Sequence, residues 1–501
     1  MKPPRRPAST PNERSGPRRR AVLGWPAAAA GLLVGRHLGA QTPSAYGAPA
    51  SASPGVAAPA PPAAATPPAA PGPAAIANAP VISEPPRLAL LIGNRDYPDG
   101  EDLPPIHKNV RDLRAVLEKR GFTVSEGLDL DNAGARAAME RFAATVRAAP
   151  ADATVFFYFS GHGAQVDAEN LLVAARISPK ARPEALVKGS LTLTSDIIGQ
   201  LPLRPTGLTI AVVDACRTSL KAAVEGGDGL NQVEAPPGCL IAFATGAGRP
   251  AIAPADDTRN TFYTASLVKV MTSVSDEITF SDMFRLVKYD VQEVMQNHPV
   301  QLLRQFAQFP FIAENTQVRR TLVPRTAGAA AAPRFSNRND AADWEKLEAT
   351  LWPADVARLA SEYLTNHPDS KLAGSALVSR QGATEAAQLL RRNDVRLYRS
   401  AFQPPADTPA SKLSEIYKAA RGDKDAAARL GRSHPRDGGP ADLARYEGWM
   451  QYAAGLGNGI ASYDLALHYR RTEQPLLASQ YEARARELGY TPPPSLDNTR
   501  K

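Results

Sequence analysis

The chain has 501 residues, a net charge of +8 and two cysteines, Cys216 and Cys239. That length supports two or three domains without disulfide or metal staples, and so few cysteines exclude a disulfide framework. Within residues 1–40, Lys2, Arg5, Arg6, Arg14, Arg18, Arg19, Arg20 and Arg36 face one acid, Glu13, and account for +7 of the charge; the remainder is nearly neutral and gives no basic groove for nucleic acid.

The basic start leads into an apolar stretch from Ala21 to Val34 and then Leu38-Gly39-Ala40 before Gln41, the layout of a cleaved export signal over residues 1–40. Arg19-Arg20-Ala21-Val22-Leu23 resembles a twin-arginine signal. An ordinary secretory leader and an uncleaved inner-membrane anchor are the alternatives, although the stretch is short for a span. The chain is therefore expected to be exported, periplasmic or secreted, touching a membrane only through an uncleaved leader. Residues 41–86 are almost wholly Ala, Pro, Ser, Thr and Gly, as in Pro61-Pro62-Ala63-Ala64-Ala65-Thr66-Pro67-Pro68, a composition that cannot bury enough apolar surface to order itself and reads as a tether.

From residue 87 the pattern alternates. Strands are expected at 88–92, 122–126, 154–159, 208–213, 240–244 and 309–312, and helices at 110–119, 133–148, 262–271 and 281–295. The β-branched and aromatic runs at 154–159 and 208–213 suit strands buried on both faces of a parallel sheet. The order predicts an α/β sandwich over 87–314, with a mostly parallel central sheet and helices on both faces. An Ala/Pro-containing break within 315–335 ends it. Residues 336–501 read as an all-α, repeat-like region, clearest over 410–490. There Trp449-Met450-Gln451-Tyr452-Ala453-Ala454-Gly455-Leu456-Gly457 is echoed by Tyr481-Glu482-Ala483-Arg484-Ala485-Arg486-Glu487-Leu488-Gly489. Small residues at helix crossings beside an aromatic knob resemble tetratricopeptide-like repeats, a plain Ala-rich bundle being the alternative.

Open α/β sheets carry their chemistry at the carboxyl edge. Thr154-Val155-Phe156-Phe157-Tyr158-Phe159 runs into Ser160-Gly161-His162-Gly163, and Leu208-Thr209-Ile210-Ala211-Val212-Val213 into Asp214-Ala215-Cys216-Arg217. If those strands are neighbours, His162 and Cys216 reach one edge. A thiolate attacks a carbonyl, and an adjacent imidazole both favours it and returns a proton to the leaving amine. The N–H groups of Gly163 and Cys216 are candidate oxyanion donors. Cys239 opens an apolar run and reads as core. His107, His298 and His367 lack any partner pattern and read as surface residues.

Four segments in order, 88–94, 157–163, 212–217 and 240–245, resemble the bacterial branch of the caspase and metacaspase family, with His162 54 residues before Cys216. The resemblance implies a caspase-like fold, cysteine endopeptidase activity through an acyl-enzyme, polypeptide substrates, and no cofactor for the chemistry. It further implies that Asp214 and Ser160 line a pocket for a basic P1 side chain, where P1 Arg should at least match Lys. Relatives carry a second acid where this chain has Lys108-Asn109, so Asn109 is expected to contribute only a carbonyl acceptor. No loop has calcium-ligand spacing, and the acidic pair Asp256-Asp257 is the sole hint of calcium activation. The connection 218–237 is Gly-rich and polar, and Arg217 and Lys221 are candidate positions for self-cleavage there. A second class of function is an exported scaffold or peptide-binding protein whose helical repeats recruit a protein partner and whose caspase-like domain is regulatory or inactive. Retention of both His162 and Cys216 argues for the enzyme.

Overall fold

The computed structural model describes residues 85–215, 218–219, 231–246, 251–305, 308–322, 335–436 and 438–492. The leader, the tether, Cys216, Arg217 and Lys221 lie outside the described residues.

Strands and helices alternate as β1 (Arg87–Gly93), α1 (Ile106–Lys119), β2 (Phe122–Leu128), α2 (Asn132–Ala148), β3 (Thr154–Gly161), β4 (Gly163–Val166), β5 (Glu169–Val173), α3 (Pro183–Gly189), β6 (Ser190–Thr192), β7 (Leu208–Ala215), β8 (Thr218–Ser219), β9 (Cys239–Phe243), α4 (Phe262–Ser273), α5 (Phe280–Gln296), α6 (Gln301–Gln305) and β10 (Phe311–Asn315). The main sheet has the order β10-β9-β7-β3-β1-β2, parallel throughout except for β10 on the β9 edge. Its two faces follow the period-2 rule. Leu91, Phe156, Tyr158, Ile210 and Val212 pack with α1, α4 and α5. Ile92, Phe157, Phe159, Ala211 and Val213 pack with α2 on the other face.

All six expected strands and all four expected helices of this domain form, with ends shifted by one to four residues. A second sheet, β6-β5-β4-β8, was not expected. Its strands are short and include polar residues such as Gln165, Glu169 and Asn170, so no hydrophobic period shows in the sequence; β4 and β5 are joined by a tight turn in which Asp167 has a φ of 54°. The linker expected from 315 begins later. Thr321 bridges Thr279, and Leu322 is buried in the main core.

Beyond it lie α7 (Arg338–Ala349), α8 (Pro353–Asn366), α9 (Ala373–Leu389), α10 (Ala410–Ala420), α11 (Lys424–Arg432), α12 (Pro440–Gly455), α13 (Gly459–Arg471) and α14 (Pro475–Glu487). The echo in the sequence has a backbone basis. Gly422, Gly457 and Gly489 each take a left-handed φ just past α10, α12 and α14, and the following N–H returns to Lys418, Ala453 and Ala485 respectively, the closing bond of a Schellman motif.

Helical residues also cover the sheet edge. An edge strand presents unpaired backbone groups. Here Lys424 Nζ donates to the Ile312 carbonyl (2.7 Å), Arg429 Nη1 to the Glu314 carbonyl (2.8 Å) and Lys418 to the Thr316 carbonyl, while Asp425 Oδ2 accepts the Glu314 N–H (2.9 Å). Arg285 of α5 bridges Glu314 Oε2 (2.9 Å) and Asp423 Oδ2 (3.0 Å). A second tie lies just before β9. Gln232 Oε1 accepts the Gly459 N–H (2.8 Å), and its Nε2 donates to the carbonyls of Gly457 (3.2 Å) and Leu488 (2.7 Å).

Burial alone would raise the carboxyls of Glu314 and Asp423, but Arg285, aided by other cations, outweighs it and holds both below their ordinary values. Depressed folded-state values mean stability that is present above the unfolded carboxylate range and lost as pH falls through the folded values. Arg285→Ala is expected to lower stability at pH 7 by about 3–5 kcal/mol, since it strands two buried carboxylates. The deficit should shrink as both protonate in acid. Urea unfolding at pH 7 and pH 3 checks this, and an unchanged midpoint at pH 7 would remove the bridge from the list of stabilising contacts.

Candidate active site

Parallel pairing of β3 with β7 sets Ser160 opposite Asp214 and Gly161 opposite Ala215. The chain therefore leaves adjacent strands at matched positions, and the next residues in sequence are His162 and Cys216. Strands buried on both faces hold this register firmly, because a one-residue slip would exchange the two core faces.

His162 is gripped by the loop after β1. Its N–H donates to Tyr97 Oη (3.1 Å), and that hydroxyl donates to the Val173 carbonyl (3.1 Å). The two rings meet edge to face with centroids 4.5 Å apart. A Cβ at position 161 would stand 2.6 Å from Tyr97 Oη, which explains Gly161. His162 Nε2 lies 2.8 Å from the Glu101 carbonyl. A carbonyl only accepts, so Nε2 carries the proton and Nδ1 keeps the lone pair. Burial lowers the His162 pKa below its ordinary value, partly countered by that carbonyl.

The loop is shaped from below. Asn94 accepts the Leu130 N–H (3.0 Å) and donates to the Val173 carbonyl (3.2 Å). Asp129 Oδ1 accepts the N–H groups of Arg95 (2.6 Å) and Asp96 (3.0 Å), and its Oδ2 pairs with His107 Nε2 at 2.7 Å. The three histidines expected at the surface are all only half-exposed and engaged: His107 with Asp129, His298 with the Val300 N–H, and His367 with Asp343.

Asp214, Ser160 and Asn109 meet in one buried polar network. Asp214 Oδ2 accepts from Thr261 Oγ1 (2.5 Å) and Thr264 Oγ1 (2.7 Å), with Tyr158 Oη at 3.4 Å; Oδ1 has no partner among the described residues. Desolvation raises the Asp214 pKa despite these donors. Asn109 Nδ2 donates to Ser160 Oγ (3.2 Å) and Thr261 Oγ1 (3.1 Å), and its Oδ1 accepts the Thr261 N–H (3.1 Å). The carbonyl oxygen expected to serve as a substrate acceptor is buried and engaged by the N–H at the start of α4. Thr261 caps α4 by accepting the Thr264 N–H, so one residue both starts the helix and holds the carboxylate.

Gly163 opens β4 opposite Leu172. Cys239 is buried at the start of β9, and desolvation pushes its thiol up to about 11, the reverse of what a nucleophile needs. Asp256 is tied to Thr258 and Arg259 within its own loop. The sequence reading missed Tyr97, the Glu101 carbonyl, Thr261 and Thr264. A Thr at a helix start was a readable cap signal, but nothing in the sequence brought it 47 residues back to Asp214.

Residues 86–322 match the sequence profile of the caspase domain family. No curated protein matches the chain. Among solved structures, caspase-1 from Spodoptera frugiperda is 17% identical with a TM-score of 0.37, covering 50% of this chain and 97% of that one. On the family match and the sheet and helices described above, residues 86–322 form a caspase-like domain, with the α-helical region following in the same chain.

Proposed function

We propose that the chain is an exported cysteine endopeptidase that cleaves polypeptides after a basic P1 residue, with His162 and Cys216 as its dyad. The observation that carries this reading is the register placing Gly161 opposite Ala215, from which His162 and Cys216 follow directly. With Nε2 engaged by the Glu101 carbonyl, Nδ1 takes the thiol proton. The thiolate adds to the scissile carbonyl, the imidazolium protonates the amine as the C–N bond breaks, and water activated by the same imidazole hydrolyses the thioester. Gly163 and Cys216 N–H groups are assigned to the oxyanion. The dyad uses no cofactor, and any calcium effect would act outside these steps.

Asp214, beside Ser160, supplies the acceptor for the P1 cation. Its unpartnered, buried Oδ1 supports that role, since such an atom is costly unless a ligand supplies a donor. The leader of residues 1–40 supports export, and the repeat-like α-helices remain the surface proposed for a protein partner, away from the α10–α11 face that covers β10.

Because nucleophile and base act as one unit, Cys216→Ala and His162→Ala should each abolish nearly all turnover, and the double variant should lose little more. Cys239→Ala should keep most activity. Fluorogenic peptide assays check this, and full turnover by Cys216→Ala would end the proposal. N-terminal sequencing and cell fractionation should find a mature protein beginning near Gln41 outside the cytoplasm; an intact Met1 on cytoplasmic protein would contradict export.

Asp214 also has a stability consequence. Its folded-state pKa is raised, so over the window above the ordinary carboxylate value the folded protein binds more protons than the unfolded one, and stability falls as pH rises through it. Asp214→Asn should therefore raise the melting midpoint at pH 7 by about 2–4 °C while weakening cleavage after Lys and Arg. The gain should vanish near pH 4. A midpoint lowered at pH 7 would show that the carboxylate stabilises the fold.

A further inference from the structure

The two oxygens of Asp214 are used unequally. Thr261 and Thr264 hydroxyls both donate to Oδ2, at 2.5 and 2.7 Å, and Tyr158 Oη, 2.7 Å from Thr264 Oγ1, backs the second donor. Two short donors fill the lone pairs of one carboxylate oxygen. Oδ1 is buried and has no hydrogen-bond partner among the described residues. Asn109 cannot supply one, because its amide hydrogens go to Ser160 and Thr261. Among the described residues, the groups acting on the carboxylate are Tyr158 from β3, Thr261 and Thr264 at the start of α4, and the facing phenol of Tyr263, none of them a cation.

We propose that Asp214 presents a single oxygen, Oδ1, to a cationic P1 side chain, and that Thr261 and Thr264 are the positioning residues that hold it in this end-on pose. The inference rests on the peptidase reading and adds a selectivity to it. Arginine's advantage over lysine at a carboxylate comes from two parallel N–H···O bonds to its two oxygens. With Oδ2 filled, arginine keeps its charge and loses its fork, whereas the point charge of an ammonium loses nothing. The pocket therefore takes Lys and Arg about equally, and the two threonines, rather than Asn109, set the ratio.

The test uses the mature full-length protein and peptides differing only at P1: Arg, Lys and the neutral isostere norleucine. Wild-type kcat/KM for Arg and Lys should agree within about threefold, with norleucine far lower. Thr264→Val should reduce both cationic substrates about tenfold, leave norleucine unchanged, and move the acidic limb of the Lys profile to higher pH, because a donor that favours the ionised carboxylate is gone. Thr264→Ser should restore the wild-type pattern. An Arg preference above about thirtyfold would overturn the single-oxygen pose, because it requires the fork. Equal loss on norleucine would make Thr264 merely structural. Calorimetric binding of the same peptides to Cys216→Ala reads the pocket without turnover. Lys and Arg peptides should bind, and adding Asp214→Asn should abolish the difference from norleucine. If that holds while the wild type hydrolyses nothing, the pocket stands and the peptidase reading fails. Hydrolysis and binding that both ignore P1 charge would leave a peptidase and sink the pocket.

Discussion

A parallel register between two strands buried on both faces governs what the rest of the domain can do. β3 and β7 are apolar on each side, so neither can slide or turn without exposing a core face. Their carboxyl ends are thereby set level, Ser160 with Asp214 and Gly161 with Ala215. One pair of residues at that edge goes to the polar network, and the pair that follows in sequence is the proposed dyad. Moving a single alternate position would separate base from nucleophile, so the hydrophobic core and the chemistry share one constraint.

Around that register the side chains are held by loops and by the helical region. Tyr97 ties the His162 backbone to the Val173 carbonyl, while the Glu101 carbonyl selects the tautomer. Because both contacts come from the stretch between β1 and α1, the imidazole is oriented by a segment distant in sequence from it. The helices act on the opposite side. α11 bonds the carbonyls of Ile312 and Glu314 and the Glu314 N–H on the outer edge of β10, groups that would otherwise be open to strand addition, α10 reaches Thr316 just beyond it, and Arg285 locks the joint with two buried carboxylates. Gln232, between the proposed nucleophile and β9, is held by the turns after α12 and α14. The helical region is built into the caspase-like domain's framework rather than strung behind it.

The polar network at Asp214 is built at a cost to stability. A buried carboxylate with one oxygen lacking a donor among the described residues weakens the fold at neutral pH, and its hydroxyl partners only partly offset the desolvation. The proposed P1 cation would supply the missing donor. Asn109 belongs to the same network: its Nδ2 donates to Ser160 and Thr261, and its Oδ1 accepts the Thr261 N–H.

The amino-acid sequence by itself determined the six strands of the main sheet, the helices that cover them, and the positions of Asp214 and His162 at and just past strand ends, because β-branched runs, helical periods and glycine punctuation are local signals. The echo around Gly457 and Gly489 was legible for the same reason, as a repeated turn. The second sheet was not, since strands of two to five residues with polar positions carry no period. Neither was the partner of any buried polar group. Thr261 meets Asp214 across 47 residues, Asn109 meets Thr261 across 152, and Arg429 meets the Glu314 carbonyl across 115. Those pairings follow from how the sheet and helices pack in three dimensions. Only the tertiary structure could decide that Asn109 faces inward and that Asp214 keeps one oxygen free.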